Sequence, residues 1–554
     1  MMLLPENFDG FNVHFVGVKG TGMCALAELL VALGARVSGS DVEEEFYTDA
    51  ILADIGVSVG VFNASLDETS NDVTVTKCSG RAAAVGTDGQ SLLGDDVEFV
   101  IRSAAYDESN AVVAEAYRRG LPILSYPEAL GELSCRYEAV AVAGVHGKTT
   151  TAAMAGILIR ALELPATVVV GSAVRGFGER DERNLRNFPD VISGSQDAVP
   201  CDDDEVDTCE AHANVNAYRS VWRGGDRFLV AETCEYRRHF LHFFPNTIVL
   251  SSVESDHQDY FPDYASISLA FVEFCSRLPE GGRLIYCFDN DGARDVATQI
   301  ALKRSDIRMI PYGTQAVGKW RVEIGNTAGK DSGSNLFRLD AFDCDFQLKL
   351  PGRHSILDAV AALALVHSLC VDESERNFDW AAAKKALVEF RGSRRRSEII
   401  SKTNGLLVMD DYAHHPTSIV CFLHGLRDFY PDWRLIVDFM PHTYSRTVAL
   451  IEEFASCFDC VDVLLLHPVY SSAREKYDGT IDGFELWKRV SARRGKLKGG
   501  KYEQRETFYC ETLDQAAHTL GLILRAGDLF VTLGAGNNRS LGLRVSREYG
   551  GLTP

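Results

Sequence analysis

Residues 139–151 read AVAVAGVHGKTTT, and this stretch limits the fold more than any other. Small and apolar residues at 139–143 read as a buried strand, a glycine turn follows, and Lys148 opens a segment with helical spacing. A strand that turns through glycine into a helix begins a βαβ unit, so the expected class is α/β with a mostly parallel sheet. Unpaired N–H groups and the dipole at the start of such a helix attract anions. Lys148 and Thr149 after Gly147 match the end of a phosphate loop, where the lysine meets β- and γ-phosphates and the hydroxyl meets Mg²⁺. The longer form G-x-x-x-x-G-K-[ST] requires glycine at 142, where Val142 stands. What remains is a shorter G-x-H-G-K-T, and its candidate phosphate cradle is Gly144, His146, Gly147, Lys148, Thr149 and Thr150.

Two other segments begin in the same way. NVHFVGVKGTGMCALAELLVALGARVSGSD (12–41) reads as strand, glycine loop, helix and second strand. Its glycines run G-x-x-G-x-G, with Lys19 where a dinucleotide fingerprint places the glycine that lets pyrophosphate approach. That order disfavours NAD, and leaves open a diphosphate on the helix N-terminus or a plain glycine turn. Asp41 ends the second strand, near where an acid would meet a ribose. After EFRGSRRRSE (389–398), the strands GLLVMDDY, WRLIVDFM, VDVLLLH and DLFVTLG alternate with helical stretches. The expected architecture is three α/β domains: a Rossmann-like one over 1–130, a central P-loop-type one with a mostly parallel sheet over 131–390, and a second Rossmann-like one over 391–554. Weakly patterned stretches at 76–95 and 179–226 read as insertions, and 325–335 as a turn or linker.

Charge and cysteine usage exclude some functions. A net charge of −22 argues against a nucleic-acid-binding surface, although a local basic pocket can still hold a small anion. The acidic run at 201–212 reads as a solvated loop. The 14 cysteines show no framework spacing, the N-terminal MMLLPENFDG lacks a basic, apolar leader, and no run of about 18 apolar residues appears. The expectation is a cytoplasmic protein with neither a membrane nor a nucleic-acid partner. Cys457 and Cys460 read as packing, and Cys201, Cys209 and His212 have unconvincing spacing for zinc.

Several polar clusters end the remaining strands. Glu232 closes one strand and Asp256 and His257 follow the next, so all three could converge on the 144–150 loop beyond the carboxyl ends of a parallel sheet. Oxygen ligands suit Mg²⁺, an imidazole less so. His354 opens a helix in LPGRHSILDAVAALAL, with Asp358 one turn later. DDYAHHPTS (410–418) carries His415, and MPHTYSRT (440–447) carries His442 and Arg446, the last able to fork a carboxylate. Each cluster alone also reads as an ordinary turn.

In chain order, GVKGTGM, GVHGKTTT, E-x-C-E-Y, ESDHQD, LPGRHS, DDYAHHPT and PHTYSRT resemble the Mur ligase family across nearly the whole chain. Within it the combination is most similar to members that join L-alanine to UDP-N-acetylmuramate in peptidoglycan precursor synthesis. The resemblance implies an N-terminal domain for the UDP-sugar, a central domain for ATP and Mg²⁺, and a C-terminal domain for the amino acid, in a monomer or homodimer. It implies a γ-phosphoryl transfer to a carboxylate and attack of alanine's amine on the acyl phosphate. By position it gives Lys148 to the β/γ-phosphates, Thr149, Glu232 and His257 to the magnesium ions, and His354 to the adenosine. It gives Arg395 or Arg396 to phosphate, His442 and Arg446 to alanine's carboxylate with His415 nearby, and Gly20, Thr21, Gly22 and Asp41 to the UDP-sugar. Asp358 departs from the asparagine usual there, and an ionised aspartate accepts but cannot donate. Thr443 departs from a common arginine. Three alternatives remain open on sequence grounds: a murein peptide ligase that attaches a recycled tripeptide to the same sugar nucleotide, a folylpolyglutamate synthase disfavoured by the N-terminal glycine-loop domain, and an ATP-binding regulatory protein without ligase activity.

Overall fold

The computed structural model describes residues 3–62, 92–178, 218–325, 334–403, 405–471, 482–496 and 505–549. Five strands form the N-terminal sheet: β1 (Asn12–Val16), β2 (Arg36–Asp41), β3 (Ser58–Val61), β4 (Phe99–Arg102) and β5 (Ile123–Ser125). Their order is β3-β2-β1-β4-β5, all parallel. The helix Thr21–Ala32 makes the crossover from β1 to β2 and is buried along most of its length, as the apolar spacing of 23–32 predicts.

The central sheet contains β6 (Glu138–Ala143), β7 (Ala166–Arg175), β8 (Tyr218–Arg223), β9 (Phe228–Glu232), β10 (Thr247–Leu250), β11 (Arg283–Cys287), β12 (Arg308–Gly313) and β13 (Trp320–Arg321). They run β13-β12-β11-β10-β6-β9-β7-β8, parallel except for β8 on β7. The middle strands are continuous apolar runs because helices cover both faces of a parallel sheet; all of β10 and nearly all of β6 and β9 are buried. A small antiparallel sheet follows, β14 (Glu323–Ile324), β15 (Asn335–Leu339) and β16 (Cys344–Leu348). The third large sheet is β17 (Glu398–Lys402), β18 (Leu406–Asp411), β19 (Arg434–Met440), β20 (Val463–Leu466), β21 (Glu506–Tyr509) and β22 (Asp528–Gly534). Its order is β17-β18-β22-β19-β20-β21, with only β17 antiparallel.

The stretch expected as an insertion over 179–226 is corrected at its end: Tyr218–Arg223 is strand β8, with Val221 and Trp222 buried. Only three residues, Ser220, Val221 and Trp222, lie between the flanking Arg219 and Arg223, too short a run to stand out. Residues 179–217, residues 76–91 of the other expected insertion and residues 326–333 of the expected linker lie outside the described residues. β8 is an edge strand, and the N-terminal domain covers that edge. Glu28, fully buried on the helix Thr21–Ala32, accepts hydrogen bonds from Ser220 N (3.0 Å) and Val221 N (3.2 Å). A carboxylate thus satisfies edge N–H groups that would otherwise be left unpaired. Among the described residues one helical stretch, Arg353–Glu373, is apolar and long enough to cross a membrane, and 78% of its apolar window is buried inside the molecule.

Candidate active site

The phosphate loop leaves β6 as Gly144-Val145-His146-Gly147 and enters the helix Lys148–Ala161. Gly144 (φ 137°) and Gly147 (φ 80°) lie where side chains are strained, and close neighbours also exclude them. A Cβ on Gly144 would sit 2.2 Å from Ser251 Oγ, and one on Gly147 2.5 Å from Asp358 Oδ1. The end of β10 pins the loop: Val145 N donates to Ser252 O (3.0 Å) and His146 N to Ser252 Oγ (2.8 Å). The loop forms one wall of a cavity of about 770 Å³ between the domains.

Lys148 Nζ donates to Glu235 Oε2 (2.8 Å) and to Val145 O (3.3 Å). Burial works against the charge of Lys148, but Glu235, Cys234 and Glu232 outweigh it and hold the ammonium protonated more firmly than usual. Burial likewise works against Glu235, yet Lys148 and His257 pull its carboxyl down to about 2. Sequence reasoning did not assign Glu235; the signal was a second glutamate three residues after Glu232, at the end of the same strand.

Thr149 Oγ1 donates to Glu232 Oε1 (3.1 Å), and Gly171 N to Glu232 Oε2 (3.0 Å). His257, the third expected metal ligand, has φ 56° and turns its Nε2 to Glu235 Oε1 (3.3 Å). The expected trio is therefore divided: Thr149 and Glu232 touch, while His257 faces the lysine's partner. A hydroxyl beside a carboxylate is the oxygen donor set that suits Mg²⁺.

The adjacent arginines separate. Arg396 enters the cavity, with Nη2 3.4 Å from Thr149 Oγ1 and its guanidinium over Tyr412 at 5.0 Å. Arg395, with φ 59°, turns inward to Asp410 (3.2 Å) and the Gly534 carbonyl (2.6 Å), so of the two arginines named for phosphate it is Arg396 that faces the cavity. Asp358 lines the cavity as well. It accepts from Thr151 Oγ1 (3.3 Å) and lies against Gly147, beside the phosphate loop. Burial raises its carboxyl to about 7, opposed by Thr151 and Arg396. His354 lines the cavity, and burial lowers its imidazole to about 4; its Nδ1 makes no hydrogen bond.

Arg446 lines the same cavity and directs Nε (3.1 Å) and Nη2 (2.9 Å) onto Asp256 Oδ1, and its Nη1 lies 3.4 Å from His442 Nδ1. Burial would raise the Asp256 carboxyl, but Arg446 and the nearby histidines hold it well below the usual range. His415 caps the helix Pro416–Phe429 by accepting from Thr417 N (3.3 Å), and its Nε2 meets Ser255 O (3.2 Å). Burial lowers it to about 4.

The structure does not bring the expected UDP-sugar residues into this cavity. Thr21 is exposed at its helix start beside Gly20 and Gly22, and the N-terminal lining is Ser103, Ala104, Ala105 and Asp107 instead. Asp41, given to the UDP-sugar by the resemblance, braces its own glycine turn, accepting from Lys19 N (2.7 Å) and Val42 N (2.8 Å). Lys19 Nζ is likewise engaged, with Glu44 O (2.9 Å) and Asp49 (3.0 Å).

Three family models match the chain in order: the Mur ligase family catalytic domain over residues 12–138, the Mur ligase middle domain over 142–366, and the Mur ligase glutamate ligase domain over 395–536. The UDP-N-acetylmuramate–L-alanine ligase of Treponema pallidum (strain Nichols) is 44% identical over 545 residues, covering 97% of this chain and 97% of that protein. The enzyme of the same name from Borreliella afzelii is 32% identical over 540 residues, covering 97% and 98%. Among solved structures, UDP-N-acetylmuramate-alanine ligase from Thermotoga maritima has a TM-score of 0.68 at 21% identity, covering 97% of this chain and 99% of that one. A murein peptide ligase from Psychrobacter arcticus has a TM-score of 0.60 at 21% identity, covering 98% and 100%. At these identities the two structures establish the three-domain fold alone.

Proposed function

The chain belongs to the Mur ligase family, and from that premise we propose that it joins L-alanine to the lactyl carboxylate of UDP-N-acetylmuramate, with ATP cleaved to ADP and phosphate. The observation that carries this reading is a single cavity lined both by the phosphate loop and by His442 and Arg446. A phosphorylated donor and an amino-acid carboxylate would both find their counter-charges there.

Phosphoryl transfer needs positioning and positive charge more than a protein nucleophile. Lys148 and Arg396 would surround the triphosphate, and loop N–H groups would meet its oxygens. Thr149 and Glu232 would hold Mg²⁺, which neutralises phosphate charge when bound. The lactyl carboxylate would attack the γ-phosphorus, ADP leaving, to form an acyl phosphate. Alanine's amine would then attack the acyl carbon and expel phosphate. Arg446 would exchange Asp256 for alanine's carboxylate, beside His442. Glu235 would keep Lys148 charged and directed along the loop, and His257 would approach the metal only by leaving Glu235. His354 and Asp358 would border the nucleoside side of the loop, and closure over the cavity would exclude water from the acyl phosphate.

The test is product mass. Purified protein with ATP, Mg²⁺ and UDP-N-acetylmuramate is offered L-alanine, glycine, L-serine or the L-Ala-γ-D-Glu-meso-diaminopimelate tripeptide. A product heavier by one alanyl residue supports the reading. A product carrying the tripeptide moves the protein to recycling, and nucleotide binding with no product under any acceptor makes it a regulator.

A further inference from the structure

Among the described residues, one group of metal-competent side chains lies apart from the Thr149–Glu232 pair: His146, Glu254 and His415, whose donor atoms all fall within 4.8 Å of one another. They come from three places in the chain: the phosphate loop, the segment after β10, and the cap of the helix Pro416–Phe429. The group therefore spans the central and C-terminal domains.

His146 Nε2 is buried, makes no hydrogen bond, and lies 3.5 Å from Glu254 Oε2. A tetrahedral ion with bonds of about 2.0–2.1 Å holds its ligand atoms about 3.3 Å apart, so this pair already has nearly the required spacing. The outer partners are in place too. His146 Nδ1 is bonded to Ser418 Oγ (2.9 Å), and Glu254 Oε1 accepts from Asn290 Nδ2 (3.3 Å). Hydrogen bonds on the far nitrogen of an imidazole and the far oxygen of a carboxylate are what fix metal ligands in position. His415 would exchange one of its two longer contacts, to Ser255 O or from Thr417 N, for the ion. Two imidazoles and one carboxylate are a poor set for Mg²⁺ and a good one for zinc-like dications.

We propose that His146, Glu254 and His415 form a second metal site, selective for a zinc-like transition-metal dication, that fastens the phosphate loop to the C-terminal domain. An ion bound there holds the two domains together, at a place distinct from the Thr149–Glu232 pair. Binding at this site does not depend on the functional reading above.

The experiment is equilibrium dialysis of chelator-washed, full-length protein against Zn²⁺ alone, without nucleotide. Wild type is compared with Glu254→Gln, His415→Ala and, because Cys234 is an exposed thiol in the same cavity, Cys234→Ser. The expected result is one tightly held equivalent in wild type and in the cysteine variant, held at least about tenfold more weakly in the other two. Cobalt substitution gives a second readout, in which nitrogen and oxygen ligands produce no intense thiolate-to-metal band. A wild type that binds no zinc, equal binding in all four proteins, or a thiolate band would each overturn the proposal; in those cases His146 and Glu254 are an ordinary polar contact.

Discussion

Asp358→Asn restores the amide that the family resemblance leads one to expect, and its consequences follow from where the carboxyl sits. Asp358 is buried beside Gly147 with one hydroxyl donor, and burial lifts it from 3.8 to about 7. At 1.36 kcal/mol per pH unit, ionising it in place costs about 4 kcal/mol. A carboxyl raised in the folded state is stabilising only while protonated in both states. Its contribution is most favourable below about pH 4, declines as pH rises towards 7, and is fully unfavourable above. The asparagine variant should therefore melt higher than wild type at pH 8, with the gap closing towards pH 5. The same ionisation places a second anion against the triphosphate cradle. If only the neutral form admits nucleotide, the wild-type Kd rises about tenfold for each pH unit above 7. The assay is ATP and ADP affinity from pH 6 to 9, reported as the ratio of wild type to variant so that titration of the nucleotide cancels. A ratio near one at pH 6 rising about tenfold by pH 8 is expected. A flat ratio would refute the reasoning, and would mean that Asp358 stays clear of the bound nucleotide.

Four further substitutions separate the roles. Lys148→Ala should lose most turnover, measured as phosphate release, because it removes the cation of the loop and leaves buried Glu235 with His257 alone. Arg396→Ala should raise the KM for ATP and lower kcat, whereas Arg395→Ala should chiefly lower the melting temperature, since Arg395 is spent on Asp410 and Gly534. Arg446→Ala should raise the KM for L-alanine by about 10–100-fold, the worth of a hydrogen-bonded charge; an effect confined to ATP would place Arg446 elsewhere.

What the sequence made legible was local. The phosphate loop and the β1–helix–β2 unit were readable because strand, glycine turn and helix are contiguous, and because strands buried on both faces are unbroken apolar runs. Strand β8 was not, since it has few alternating residues and its edge is completed by Glu28 from another domain. The pairings of the site were hidden for a related reason. Lys148 and Glu235 are 87 residues apart, Asp256 and Arg446 are 190 apart, and no periodicity reports such contacts. Arg395 and Arg396 look alike in sequence, and the left-handed turn at Arg395 sends one inward and the other into the cavity. Asp41 ends its strand near where an acid would meet a ribose, and no sequence pattern signals that each of its oxygens also accepts from the backbone of its own turn.

The central claim is a phosphoryl transfer to the sugar's carboxylate before amide formation, and oxygen tracing tests it most directly. UDP-N-acetylmuramate labelled with ¹⁸O in the lactyl carboxylate is turned over with ATP and L-alanine, and the released phosphate is weighed. The account predicts one labelled oxygen in each phosphate, left behind when the amine displaces it from the acyl carbon. Product formed with unlabelled phosphate would contradict it.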